Sequence, residues 1–188
     1  MNTTRCAWVT DDPLYIQYHD LEWGVPVNND NVLFEILVLE SFQAGLSWVT
    51  ILKKRENFRQ SFDDFNYYKV ALYDESKIIE LLNNPGIVRH RKKIEAAIHN
   101  AQCFIETQKT FDSFSNYIWQ FTDGRQIINQ WNTMADVPAN THLSELISID
   151  LKQRGFKFLG STTVYAYLQA IGIVNDHTTD CICHPNNL

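Results

Sequence analysis

Residues 31–41 read NVLFEILVLES, a run that is apolar on almost every face of a helix rather than along one stripe. A helix hydrophobic all round must be covered on all sides, so this segment is expected at the centre of a helical bundle. Asn29 or Asp30 is placed to cap it. Glu40, near its end, is the conspicuous exception to its character. The helical period continues outward. A second helix is expected after the QAGLSW turn (43–48), through about residue 59. A short amphipathic helix over 76–83 is stopped by Asn84-Pro85-Gly86. Ile94, Ala97, Ile98, Ala101, Phe104 and Ile105 mark one long helix. Phe114, Tyr117, Ile118 and Phe121 mark another, and Leu143, Leu146, Ile147 and Leu151 a third. Thr162–Ile171 is the last, capped by Ser161 or Thr162. Its VYAYL run has strand propensity too, but strands to pair with are lacking and a Gly-bounded cap precedes it. The fold class is mainly α, an orthogonal helical bundle.

The chain has 188 residues, which suits a single domain over 1–188. No apolar run approaches the ~20 residues of a membrane span, and the first residues do not read as a secretory signal. A cytoplasmic protein without membrane association is expected. Four cysteines in a reducing compartment argue against a disulfide framework. The net charge of −6 speaks against nucleic acid. The average hides clustering, however. Lys53, Lys54, Arg55 and Arg59, then Arg89, Arg91, Lys92 and Lys93, then Lys152, Arg154 and Lys157 hold 11 of the 16 Lys and Arg residues. Each stretch alone is a solvated helix end; three that converge would bind phosphates.

Three constellations carry chemistry. Cys6 and His19 near the start, and His177 and Cys181 near the end, offer two thiolates and two imidazoles. That set makes a closed tetrahedral Zn²⁺ site stapling the termini. The plain alternative is two buried cysteines and two incidental histidines, and Cys183 and His184 compete as donors. The second constellation is RGFKFLG (154–160). Gly155 and Gly160 bracket a turn between two helices, with Lys157 between them, so that the free N–H groups of the next helix can meet a phosphate. An ordinary turn is the alternative. Gly86 before a basic helix start repeats the pattern. In the third, Trp8, Tyr18, Trp23 and Trp48 are set around Glu40. Such residues usually fill cores, but together they could stack a flat, cationic base and accept from its amine.

The segments RCxW (5–8), DPLYIxYHDxEWGVP (12–26), LFEILxLE (33–40), QAGLSWxTxLKKRENFR (43–59), GIVRHRxKI (86–94), RGFKFLG (154–160) and VNDHxxxC (174–181) resemble the 3-methyladenine DNA glycosylase I family. The resemblance runs from Cys6 to about Pro185. It implies the helix-hairpin-helix glycosylase fold with a zinc-stapled terminal lobe, and Cys6, His19, His177 and Cys181 as ligands of one structural zinc. It implies a base pocket of Glu40, Tyr18 and Trp48, with Trp8 and Trp23 nearby, and DNA contacts from the hairpin. The activity implied is hydrolysis of the N-glycosidic bond of 3-methyladenine in alkylated double-stranded DNA, in base excision repair, by a monomer. The target base must be flipped out. The QAGLSW turn, with Gly45 and with Leu46 at its tip, is the candidate wedge. Asn175 stands where other helix-hairpin-helix glycosylases carry a catalytic Asp, and Asp176 is one place off. No lysine occupies the lyase slot, so strand cleavage is not expected. Ser41-Phe42 departs from the family pattern beside Glu40. Two other readings remain: a zinc-stapled DNA-binding or damage-sensing module without catalysis, and an α-helical hydrolase with catalytic zinc, which would need an open coordination position.

Overall fold

The computed structural model describes residues 4–43 and 45–187, and Ala44 lies outside them. Within these, α1 (Pro13–Leu21), α2 (Asp30–Gln43), α3 (Trp48–Ser61), α4 (Tyr67–Val70), α5 (Glu75–Asn83), α6 (Arg91–Phe111), α7 (Phe114–Trp119), α8 (His142–Gln153) and α9 (Ser161–Ala170) form a mainly helical bundle. A two-residue parallel pair joins β1 (Ile127–Ile128) to β2 (Val174–Asn175). None of the helices is long and apolar enough to cross a membrane.

The all-round apolar run is α2, and Leu33 through Phe42 are all buried. It packs against α3, α6, α7 and α9, which explains why no face of it is polar. Aromatic rings fill the space around it. Phe34 meets Phe104 at 5.3 Å and Phe42 meets Phe58 at 5.0 Å between centroids, both edge-on. Each buried ring of this size contributes roughly 1.5–3 kcal/mol. Asn29 caps α2 by accepting from the Val32 N–H at 3.2 Å. Asp30 does different work: its carboxylate accepts from the N–H groups of Phe114 and Ser115, both at 2.9 Å, and so anchors the start of α7.

Helix α1 was not foreseen, although its start is explicit in sequence. Asp12 accepts from the Leu14 N–H at 3.1 Å, and Pro13 follows in the first turn, where its missing donor costs nothing. VYAYL is helical, with Val164, Tyr165, Tyr167 and Leu168 buried at helical spacing. Its N-cap is Gly160, not Ser161 or Thr162, and no side chain caps it. The strand pair, though short, has a role. It ties β2, which leads into His177, to the 127–131 segment.

The three basic stretches do not form one face of free cations. Arg55 pairs with Glu22 and Glu35, Arg59 with Glu35, Lys53 with Asp12, Arg91 with Glu75, and Arg154 with Asp150. Lys93 is buried and donates to the Phe42 carbonyl at 2.9 Å. Five of the eleven cations are spent on acids, four of them on acids of other segments.

Candidate active site and metal centre

Trp8, Tyr18, Trp23, Glu40 and Trp48 line one open cavity of about 170 Å³. Trp8 stands edge-on to Trp23 at 5.1 Å, and Tyr18 lies 5.4 Å from Trp48, centroid to centroid. Helix α2 presents Glu40 from below; α1, the loop before it and Trp23 just after it supply the aromatic wall; α3 begins with Trp48. Tyr15, Gln43, Met134, Ala166 and Gln169 complete the lining. Sequence reasoning missed these five. Tyr15 and Tyr18 recur at i, i+3 on a helix that was not foreseen, and Ala166 and Gln169 share one face of α9 in the same way.

Two carboxylates on α2 show what is special here. Glu35 is buried, but Arg55 Nε and Arg59 both donate to it, the latter at 2.9 Å. Glu40 is 4% exposed, and its Oε2 has no hydrogen-bond partner among the described residues. Burial alone raises its pKa to about 8. Burial thus works against an ionised Glu40 in the free pocket. The indole Nε1 of Trp48 is likewise buried without an acceptor. A cavity that keeps a carboxyl oxygen and an N–H unsatisfied, walled by five aromatic side chains, suits a flat, polar-edged ligand.

The terminal cluster adjoins this pocket. Cys6, His19, His177 and Cys181 are all buried, and their donor atoms lie within 4.8 Å of one another. Cys6 Sγ is 3.5 Å from His177 Nδ1, and Cys181 Sγ is 3.4 Å from His177 Nδ1 and 3.5 Å from His19 Nε2. A tetrahedron with zinc–sulfur bonds of about 2.3 Å and zinc–nitrogen bonds of about 2.0–2.1 Å has S···N edges of roughly 3.6 Å, so the spacing fits that ion. The outer nitrogens are engaged as a ligand set requires. His177 Nε2 faces the Trp23 carbonyl at 3.1 Å, and His19 Nδ1 faces Asp20 Oδ1 at 2.7 Å, which leaves the other nitrogens for a metal. Arg5 grips Asp20 at 2.7 Å and holds its carboxyl down to about 2. His177 and Cys181, an i, i+4 pair, are carried on a non-helical turn, where the Cys181 N–H meets the Thr178 carbonyl at 2.8 Å. Of the competing donors, His184 bonds the Asn129 carbonyl at 3.2 Å, and Cys183 lies on the far side of His19, 3.8 Å from Asp20.

The hairpin between α8 and α9 is clamped from beneath. Buried Asn100 donates to the Lys157 carbonyl at 3.0 Å and accepts its N–H at 2.8 Å. Gly155 has φ +95°, a left-handed conformation that favours glycine. Gly160 does not: its φ is −68°, and a Cβ there would meet nothing within 4 Å. Neither backbone strain nor packing accounts for it, and its bare surface leaves room for an outside group. The N–H groups of Phe158, Leu159 and Gly160 find no acceptor among the described residues. Lys157 is exposed and unpaired there, as are Arg89, Lys92 and Lys152. Gly45 (φ +84°) and Leu46, 41% exposed, border a second hollow that shares Glu40, Gln43 and Ala166 with the first. Asn175 and Asp176 are both buried in the packing behind β2, and Asp176 accepts from four side chains. Neither is free to act as a general base.

A family model described as methyladenine glycosylase matches residues 8–184. The chain is 46% identical over 183 residues to the DNA-3-methyladenine glycosylase 1 of Escherichia coli (strain K12), covering 97% of this chain and 98% of that one. A crystal structure of 3-methyladenine DNA glycosylase I superposes with a TM-score of 0.94 at 48% identity, over 97% of this chain and all of the other. The Staphylococcus aureus 3-methyladenine DNA glycosylase I, solved for its recognition of 3-methyladenine, superposes with a TM-score of 0.94 at 40% identity over 98% of both chains.

Proposed function

The chain belongs to the methyladenine glycosylase family, and on that premise we propose how its own residues release 3-methyladenine from DNA. It is a DNA glycosylase, an enzyme of base excision repair. The observation that carries the assignment of its site is the aromatic cavity around the buried, unpaired Glu40. A base stacked in the duplex hides its glycosidic bond, so the damaged nucleotide must turn out. Leu46, on the rim shared with the cavity, fills the gap it leaves. Trp48 and Trp8 stack on the base, Trp23 closes the wall, Glu40 accepts from the amine edge, and Tyr18 fixes the orientation.

Methylation at N3 makes the base a cation, so it leaves as a neutral molecule. The C1′–N9 bond breaks with its electron pair going to the base; a water oxygen bonds to C1′, and its proton passes to solvent. Little general-base power is needed, which suits a site where Asn175 and Asp176 are occupied structurally. The hairpin's one amine, Lys157, is taken up with phosphate rather than a Schiff base, and release occurs without strand cleavage.

The four-residue cluster fits one Zn²⁺, which supplies no chemistry to the reaction and staples the chain ends into a terminal lobe. The single domain acts as a monomer on double-stranded DNA. Four free cysteines suit a reducing compartment such as the cytoplasm. The test of the whole reading is the release of free 3-methyladenine from methylated duplex DNA. Binding without release would instead favour a damage-sensing module.

DNA is held by backbone contacts that carry no sequence information. Lys157→Ala should weaken binding to every duplex about equally and reduce the slope of log affinity against log salt by about 1. Titrations on three unrelated duplexes over a salt series check this. A changed sequence preference would show that the hairpin reads bases.

A further inference from the structure

Gln169 lines the base cavity from α9, one turn beyond Ala166. Its side-chain amide is not free to choose its orientation. The Nε2 donates to Asp176 Oδ2 at 2.7 Å. Asp176 is fully buried and also accepts from Tyr165 Oη at 2.5 Å, Asn129 Nδ2 at 2.7 Å and Trp131 Nε1 at 2.7 Å. A carboxylate is an acceptor only, so it takes the nitrogen end of the amide and turns the oxygen end away. That Oε1 has no donor among the described residues.

We infer that Gln169 is a specificity-determining residue of this pocket, its Oε1 accepting the second N–H of an exocyclic amine while Glu40 accepts the first. This inference rests on the base-pocket reading above. An adenine-type base offers two amine hydrogens at C6, whereas a guanine-type base offers a carbonyl oxygen. Glu40 alone separates the two poorly. Its carboxyl answers to the positive charge that N3-methylation puts on either base, and as one acceptor it leaves the second amine hydrogen unread. Gln169 meets the base with its oxygen, because its amide nitrogen is held by Asp176. A guanine-type O6 would face a second oxygen there and leave it unsatisfied, and a site built in this way rejects the wrong partner strongly.

The experiment compares release of 3-methyladenine and 3-methylguanine, both N3-methylated and cationic in DNA, by the wild type, Gln169→Met and Tyr165→Phe. Methionine fills the volume without a comparable acceptor. Tyr165→Phe also strips one donor from Asp176, yet Tyr165 does not line the cavity. Gln169→Met should lose roughly threefold to tenfold on 3-methyladenine and narrow the preference over 3-methylguanine by at least as much. Tyr165→Phe should keep the wild-type preference. An unchanged preference in Gln169→Met, or an equal change in both variants, overturns the inference while the glycosylase reading stands. No release of 3-methyladenine by the wild type overturns both. Should Gln169→Met fail to fold, the side-chain amide resonance of Gln169 in the wild type decides. Saturation with free 3-methyladenine should shift it, and a resonance that stays in place overturns the inference.

Discussion

Cys181→Ser should leave a protein that neither keeps its metal nor holds its terminal lobe, with a loss of stability comparable to the whole folding free energy of a small domain. Structural zinc sites bind with roughly 10–16 kcal/mol of apparent free energy in small peptides, against a net stability of about 5–15 kcal/mol for a typical domain. Here the four donors come from segments up to 175 positions apart, Cys6 and Cys181 being the extreme pair. The other links between them are scattered hydrogen bonds, such as that of His177 Nε2 to the Trp23 carbonyl. Arg5 reaches Asp20, and the Ile182 N–H meets the Thr4 carbonyl at 2.9 Å. The damage should not stop at the lobe. Trp8 packs on the His19 ring at 5.2 Å and Trp23 on the His177 ring at 4.7 Å, so two walls of the base cavity lean directly on two ligands. Base binding and metal content should fall together. The measurement is metal per chain, melting temperature and affinity for free 3-methyladenine, on the wild type with and without chelator and on the variant. Wild-type protein holding under half an equivalent of zinc at full activity would show that the cluster is only a packed thiol–imidazole core.

What the sequence made legible follows from how local each signal is. The all-round apolar character of 31–41 reports burial directly, so α2 and its central position could be read without any other element. The i, i+4 pair His177 and Cys181 drew attention as ligands, but the backbone between them is a turn, because spacing alone does not distinguish the two. The basic stretches were misleading for a physical reason. Their partners Asp12, Glu22, Glu35 and Glu75 lie tens of positions away or on other helices, and pairing across a fold leaves no mark on the composition of either segment. The same applies to the cavity. Glu40 stood out because it interrupts an apolar run, whereas Gln169 and Met134 look like any polar or apolar residue until α9 and the 134–136 turn bring them to the same wall. Gly172 is similar: a Cβ there would come within 2.2 Å of the Val25 backbone, a close approach that only the tertiary structure reveals.

Glu40→Gln should stabilise the protein at alkaline pH while crippling it as an enzyme. The carboxyl has an ordinary pKa of 4.5 when unfolded and about 8 in the fold, raised by burial without a partner. Between those values the folded state keeps a proton that the unfolded state has released. Stability therefore falls as pH rises from about 4.5 to about 8, and is flat beyond; each unit of displacement is worth about 1.4 kcal/mol. Glutamine removes the titration. The variant should lose that slope and exceed the wild type by up to a few kcal/mol at pH 9, measured by denaturant unfolding across the range. The wild type tolerates this cost because the site awaits a cation. When N3-methylated adenine enters, its charge favours the ionised carboxylate, and Glu40 gives up its proton. Undamaged adenine has the amine but lacks the charge to drive that ionisation, so the same desolvation that weakens the fold sharpens the choice of lesion. Below pH 8 the apparent affinity for methylated DNA should rise with pH, approaching tenfold per unit, and level above it. The positive charge on the base is greatest before the glycosidic bond breaks, so the contact supports binding more than the chemical step. In Glu40→Gln the loss should fall mainly on KM, by roughly tenfold to a hundredfold for a hydrogen bond to a charged group, and its pH dependence should vanish. Folding and zinc content should be intact. A variant that unfolds, or one whose KM and pH profile match the wild type, would make Glu40 a core residue and move the base site elsewhere.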